Sequence, residues 1–211
     1  MTEIETFDAD RLTLAIVGDL HCGSTVGLAP PVFRTDDGQV IHHSPFQAKL
    51  WAAWLDFWQR ASETGAPLVV VINGDLVDGD HHRTPQLVSR SIEQQRRMAI
   101  DVLRPISDNA QTMYIIRGTE AHAGAIAQDE EAIAQALQAH PALGGNSSWW
   151  YLRAQFGGVG FDIAHHGPLG RLPWTRSNSL SRLGVELELA YYRAGMQPPA
   201  WAVRSHNHVY A

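Results

Sequence analysis

Residues 12–25 read LTLAIVGDLHCGST. An apolar, β-branched run stops at Gly18 and gives way to Asp19 and His21, a carboxylate and an imidazole one residue apart. The run predicts a buried strand over 12–18, because continuous apolar residues bounded by glycine suit a strand covered on both faces. The same grammar returns at residues 67–79, PLVVVINGDLVDG. A second buried strand over 67–74 ends by delivering Asp75 and Asp78. One such strand end is what an ordinary polar turn looks like. Its repetition decides how the rest of the chain is read.

Working outward, strands alternate with helices. Residues 24–44 hold several Gly, Pro and Asp and read as a long loop. FQAKLWAAWLDFWQRASETG (46–65) predicts a helix, with Trp51, Trp54, Leu55 and Trp58 at i, i+3, i+4 and i+7 and Gly65 just past its end. The tryptophans of this stripe are expected in the core. Residues 86–107 carry a second helical pattern, QTMYIIRGT (111–119) a third strand, and 126–139 a further helix. Within 149–167, two strands flank GGVG, which predicts a hairpin. A helix over 179–195 and a short strand over 200–206 complete the chain. The order predicts an α/β sandwich with mixed sheets. In open α/β sheets ligands sit at the carboxyl ends of strands, so those ends are where chemistry is expected.

Composition narrows the class. With 211 residues, 45% hydrophobic and 18% charged, the chain can bury a substantial core. No apolar run approaches the roughly 20 residues that cross a bilayer, so no membrane partner is expected. The N-terminal MTEIETFDAD lacks a basic-then-apolar signal pattern. The single cysteine, Cys22, allows no intrachain disulfide and fits a reducing compartment. A cytoplasmic location is therefore expected. Cys22 is read as a small buried residue. The net charge of −6 gives no bulk attraction toward nucleic acid.

Eleven histidines are many for this length, and most follow strand-like runs. The first strand ends in Asp19 and His21, and the second offers Asn73, Asp75 and Asp78. The third offers Glu120 and His122, the hairpin His165 and His166, and the last strand His206 and His208. Each site alone has an ordinary structural explanation as a cap, a turn or a satisfied polar residue. Five in register with strand ends point to metal. Mixed carboxylate and imidazole donors without thiolates suit Mn²⁺, Fe, Zn²⁺ or Ni²⁺. Six or seven donors exceed one four-coordinate ion and suit a pair of ions about 4 Å apart.

GDLHCG, GDLVDG, GTEAH, HHG and SHNH stand in the order and rough spacing of the calcineurin-like metallophosphoesterases, and over residues 18–208 the chain resembles that family. The resemblance implies a four-layer α/β/β/α sandwich with mixed β-sheets, formed as a single domain over residues 1–211. It implies two divalent metal ions, Mn²⁺ favoured. A bridging hydroxide would attack phosphorus in line, in a phosphodiesterase or phosphatase. Asp19, His21 and His208 would bind the first metal, Asp75 would bridge, and His166 and His206 would bind the second. His166 is favoured over His165 because the family's ligand directly precedes glycine. The third motif departs from the family's GNH(D/E). Glu120, or alternatively Thr119, would replace the asparagine ligand, and His122 would be the general acid. Asp78 would order the loop. Ser205 stands where the family has glycine. The family usually continues with another strand after the last motif, whereas this chain stops three residues after His208.

The substrate is expected to be a phosphate ester. Arg171 and Arg176, in the segment after the fourth motif, and His82, after the second, are candidate substrate-binding residues, since arginine suits bidentate phosphate contact. An ordinary solvated loop would also carry such arginines. Trp149 and Trp150 are neighbours, so one of them is expected to face outward and could serve a homo-oligomer interface. Two alternatives carry weight: a nuclease acting on single-stranded nucleic acid, and a catalytically weak, metal-stabilised binding module.

Overall fold

The computed structural model describes residues 4–80, 86–124, 127–168 and 176–206. In chain order these form β1 (Glu5–Phe7), β2 (Thr13–Val17), β3 (Val32–Arg34), β4 (Val40–His42), α1 (Pro45–Glu63), β5 (Leu68–Asn73) and α2 (Ile92–Asn109). There follow β6 (Thr112–Ile116), α3 (Glu120–Ala123), α4 (Gln128–Ala136), β7 (Leu152–Phe156), β8 (Val159–Ile163), α5 (Arg176–Arg193) and β9 (Trp201–Val203).

The run that predicts the second strand is the axis of the molecule. β5 is buried along its whole length and lies between β2 and β6 in an all-parallel sheet. Successive side chains of a strand point to opposite faces. Leu68, Val70 and Ile72 therefore enter one core, beside Trp54 and Trp58 of α1, Met98, Val102 and Leu103 of α2, and Ile133 of α4. Val69 and Val71 enter a second core, against Leu152, Ala154 and Phe156 of β7 and Ile163 of β8. Burial on both faces is why the sequence runs continuously apolar here instead of alternating.

The second core is closed by a mixed four-stranded sheet ordered β1-β7-β8-β9. β7 and β8 are antiparallel, while β1–β7 and β8–β9 are parallel. Gly157 and Gly158 join β7 to β8 with φ of 56° and 77°. A two-residue hairpin turn demands positive φ at both positions, which glycine adopts without cost. On the outer face of this sheet Asp162 sits opposite Arg153 in register. Its carboxylate accepts from Tyr191 of α5 at 3.1 Å and from Arg204 Nη2 at 2.6 Å. Tyr151 donates to the same carboxylate. Helices, sheet, sheet and α5 thus stack in the α/β/β/α order. The buried Asp162–Arg204 pair also fixes the chain just before Ser205 and His206.

Several local expectations change. The segment expected to be a long loop contains the β3–β4 hairpin. The helix expected from residue 86 begins at Ile92, because Ser91 caps it by accepting from Gln94 N–H. Val88 N–H donates to Gly23 O at 2.7 Å, so residues before the cap lie extended along the first ligand loop. Within the tryptophan stripe, Trp54 and Trp58 are buried, Trp51 is half-buried and Leu55 is exposed. Trp149 is buried and Trp150 exposed, with the Arg117 guanidinium 4.8 Å from the Trp150 ring centre. Among the described residues no helix is long and apolar enough to cross a membrane.

Candidate metal centre

Beyond the ends of β2 and β5, the two ligand loops run on side by side. Asp19 N–H donates to Gly74 O, His21 N–H to Asp75 O and Cys22 N–H to Leu76 O, at 2.9–3.0 Å, and Asp78 N–H returns to Cys22 O. GDLHCG and GDLVDG are therefore a zipped continuation of a parallel pair, which gives their side chains strand-like precision. Cys22 is fully buried and burial pushes its thiol far above its ordinary range, so it packs and does not react.

The second sheet delivers its loops to the same edge. Ser205 N–H donates to His165 O at 2.9 Å. Asn73 joins the two sheets, its side-chain amide donating to Ala164 O at 3.2 Å and to Ser205 Oγ at 2.7 Å. A glycine at position 205 could not accept that bond, which gives the departure from the family motif a physical purpose.

Three groups of donor atoms result among the described residues, each with its atoms within 4.8 Å of one another. They are Asp19, His21 and Asp75; Asp75, His165 and His206; and His21, Asp78 and His122. Asp75 belongs to two of them. It is almost fully buried. Thr119 N–H and Oγ–H donate to its Oδ1 at 2.7 and 3.0 Å, and its Oδ2 lies 3.0 Å from His165 Nε2. Burial works against its charge, but the hydrogen bond and charge of His165 and the Thr119 N–H outweigh it. The carboxyl is held well below the usual carboxylate range.

The room for this contact is made by two glycines. A Cβ at Gly118 would fall 2.1 Å from Asp75 Oδ1, and one at Gly74 would fall 2.4 Å from His165 Nδ1.

His165 is the most telling side chain. Its Nδ1–H donates to Asn73 O at 2.6 Å, which turns Nε2 toward the Asp75 carboxylate. A lone pair and a carboxylate at 3.0 Å are satisfied by a proton on Nε2 or by a cation that both can bind. Burial opposes protonation, but Asp75 and the Asn73 carbonyl prevail, and the His165 pKa is raised. A backbone carbonyl that fixes the tautomer in this way is the usual support of a metal-binding imidazole. The donor set therefore fits divalent metal.

The sequence-predicted residues are distributed as follows. Asp19, His21, Asp75 and His206 converge, and His206 N–H also donates to Asp19 Oδ2 at 3.3 Å. His165, not His166, stands in the donor group. His166 is exposed, its ring centre 5.3 Å from that of His165 and 5.4 Å from that of His206. Burial and the neighbouring imidazoles lower its pKa.

In the third motif, Thr119 reaches Asp75 while Glu120 is exposed as the first residue of α3. The helix begins at Glu120 and carries that side chain away from the edge. His122 follows within the same turn, its Nδ1–H donating to Asp78 O at 2.6 Å and its ring edge-on to His21. Asp78 lies 3.2 Å from His21 Nδ1. His82, Arg171 and His208 lie outside the described residues. Arg176 opens α5, and its side chain also lies outside them.

Glu130 was not anticipated. Fully buried on the first turn of α4, it accepts from Gly118 N–H at 2.6 Å. Burial pushes its pKa up to about 8, and the nearby Asp75 adds to this. Its neighbour Glu131 accepts from Ser147 and Ser148 and pairs with Arg117. QDEEAI reads only as an acidic helix start. The sequence carries no signal for which carboxylate turns inward.

Two sheets whose neighbouring ends gather carboxylates and imidazoles define an α/β protein with a candidate metal site. The chain belongs to the calcineurin-like phosphoesterase family, whose profile matches residues 12–210. The family hydrolyses phosphoester bonds and generally uses divalent metals. Comparison with curated proteins and with solved structures gave no match.

Proposed function

We propose that this chain hydrolyses phosphate esters with two divalent ions, Mn²⁺ favoured, for which Asp75 and the donors grouped with it would be ligands. The observation that carries this reading is the double membership of Asp75, shared between a group with Asp19 and His21 and a group with His165 and His206. In this reading Asp19 and His21 would hold the first ion, and His165 and His206 would hold the second. Thr119 orients the shared carboxylate. When bound, divalent ions supply positive charge that offsets the phosphoryl oxygens and makes water a nucleophile at neutral pH.

The chain's own residues supply the remainder. Asn73 holds both sheets' ligand loops at one separation and fixes the His165 tautomer. His122, tethered through Nδ1 to the Asp78 carbonyl, presents Nε2 to the leaving oxygen. From there it donates a proton as the P–O bond breaks. The Asp78 carboxylate lies 3.9 Å from His122 Nδ1 and helps hold the ring in place.

The test is hydrolysis of bis-p-nitrophenyl phosphate and p-nitrophenyl phosphate by Mn²⁺-loaded protein. Asp75→Asn is expected to lower kcat/KM by at least about 10³-fold while far-UV circular dichroism is unchanged. Two ions bound without turnover with Mn²⁺, Ni²⁺, Fe²⁺ or Zn²⁺ would leave a binding module instead.

A further inference from the structure

Beside the metal centre lies a cleft of about 610 Å³, the size of a small-molecule site. One wall is the loop after β2, including Val26 and Leu28; the other is α1, through Phe46, Leu50, Trp54 and Phe57. These α1 positions recur at helical spacing and present one apolar face. The wall is preformed. A capping box between Ser44 and Gln47 starts the helix, and the buried Gln47 amide donates to Ser24 O at 3.0 Å and Gly27 O at 3.2 Å. Helix and loop are thereby clamped together across the cleft's end.

Among the described residues, apolar side chains stay exposed here. Phe46 and Val26 are each 53% exposed and Phe57 38%. The cleft is continuous with the reaction centre, since Asp19, His21, Asp78 and His122 also line it. His122 is the proposed proton donor to the leaving oxygen, so the leaving alcohol departs on the His122 side of phosphorus. That side opens into the cleft.

Resting on the phosphoesterase reading, we infer that the cleft binds the alcohol portion of the substrate, and that this alcohol is bulky and apolar. The natural substrate class is then a phosphate ester of an aromatic or similarly large apolar alcohol, not of a sugar or a short polyol. The apolar wall replaces water around the leaving group, while His122 meets its oxygen.

The experiment compares ethyl phosphate with 2-(2-naphthyl)ethyl phosphate, whose alcohols leave with similar intrinsic ease, using Mn²⁺-loaded protein. In parallel, binding of 2-(2-naphthyl)ethanol to metal-free protein is measured by calorimetry. The naphthyl ester is expected to have the higher kcat/KM by at least about tenfold, and the metal-free protein to bind the alcohol. Ala53→Phe, which fills the cleft from α1, and Phe46→Ser, a change at an exposed side chain, should each reduce that preference and weaken alcohol binding.

Equal kcat/KM for the two esters with no alcohol binding overturns the inference and leaves the phosphoesterase reading standing. Failure to hydrolyse either ester while bis-p-nitrophenyl phosphate is turned over overturns the inference alone; failure on all of these substrates with any metal overturns that reading and this inference with it. A dimer by light scattering that Phe46→Ser dissociates also overturns the inference, because the cleft would then be an interface between copies of the chain.

Discussion

The third motif sets two neighbouring residues against each other. Thr119 gives Asp75 two hydrogen bonds, whereas Glu120 faces solvent. Thr119→Val, which keeps shape and removes the hydroxyl, leaves a buried carboxylate oxygen short of a donor, a loss of about 1–3 kcal/mol. Hydrolysis should fall about tenfold or more. Glu120→Gln should change it less than about twofold, within the range of exposed substitutions. Steady-state kinetics on the pair checks both.

His122 offers a sharper residue-level test. His122→Ala should lower kcat for an alkyl phosphate by about 10²–10⁴-fold. The loss for p-nitrophenyl phosphate should be much smaller, because nitrophenolate leaves without a proton. Equal losses for the two esters would assign His122 a purely structural role. On the proposed mechanism Asp78, Asn73 and Ser205 would work one step removed, Asp78 against the His21 and His122 rings and Asn73 with Ser205 between the two sheets.

At the scale of elements, the site is a set of strand ends under strain. Six non-glycine residues among those described have positive φ, and four of them are Asp19, His21, Asp75 and His206. Each costs about 1–3 kcal/mol and persists only where surrounding structure fixes it, and here the zipped loops and the Asn73 bridge do so. α4 contributes a second stress through Glu130. Its carboxyl titrates at 4.5 as an ordinary glutamate and at about 8 when folded. A raised folded-state pKa means the folded protein binds more protons. The stability this group contributes is present below pH 4.5 and is lost as pH rises toward 8. Metal-free Glu130→Gln should flatten the pH dependence of the urea midpoint across that window. It should also be stabilising relative to the parent at pH 8, by at most about 5 kcal/mol. An unchanged slope would mean that Glu130 ionises normally.

For the whole molecule, the candidate metal centre lies where two sheets meet. Ions that bind donors from both sheets therefore report on the entire fold. Mn²⁺ at about 100 times its Kd should stabilise the protein by about 2.7 kcal/mol and raise Tm by roughly 5–10 °C. EDTA should reverse the shift, and Asp75→Asn should abolish most of it, as scanning calorimetry would show. Much of this architecture was legible in sequence. The β5 run VVVIN could only be a strand covered twice, and Gly-Asp steps after two such strands marked the ligand edge, because periodicity and turn chemistry are local properties. The start of α2 was not legible. A capping serine competes there with helical-looking residues that a backbone bond to Gly23 holds extended. Nor was the outcome for Leu55, whose helical phase suited the core while its neighbours filled it. Asp19, His21, Asp75 and His206 declared themselves by position after strands. The choice of His165 over His166 for the donor group, of Thr119 over Glu120 at Asp75, and the inward turn of Glu130 came only from tertiary structure. Adjacent residues share a sequence context yet point in different directions. Which of them reaches a common point depends on loop backbones that are fixed by contacts from a distant sheet.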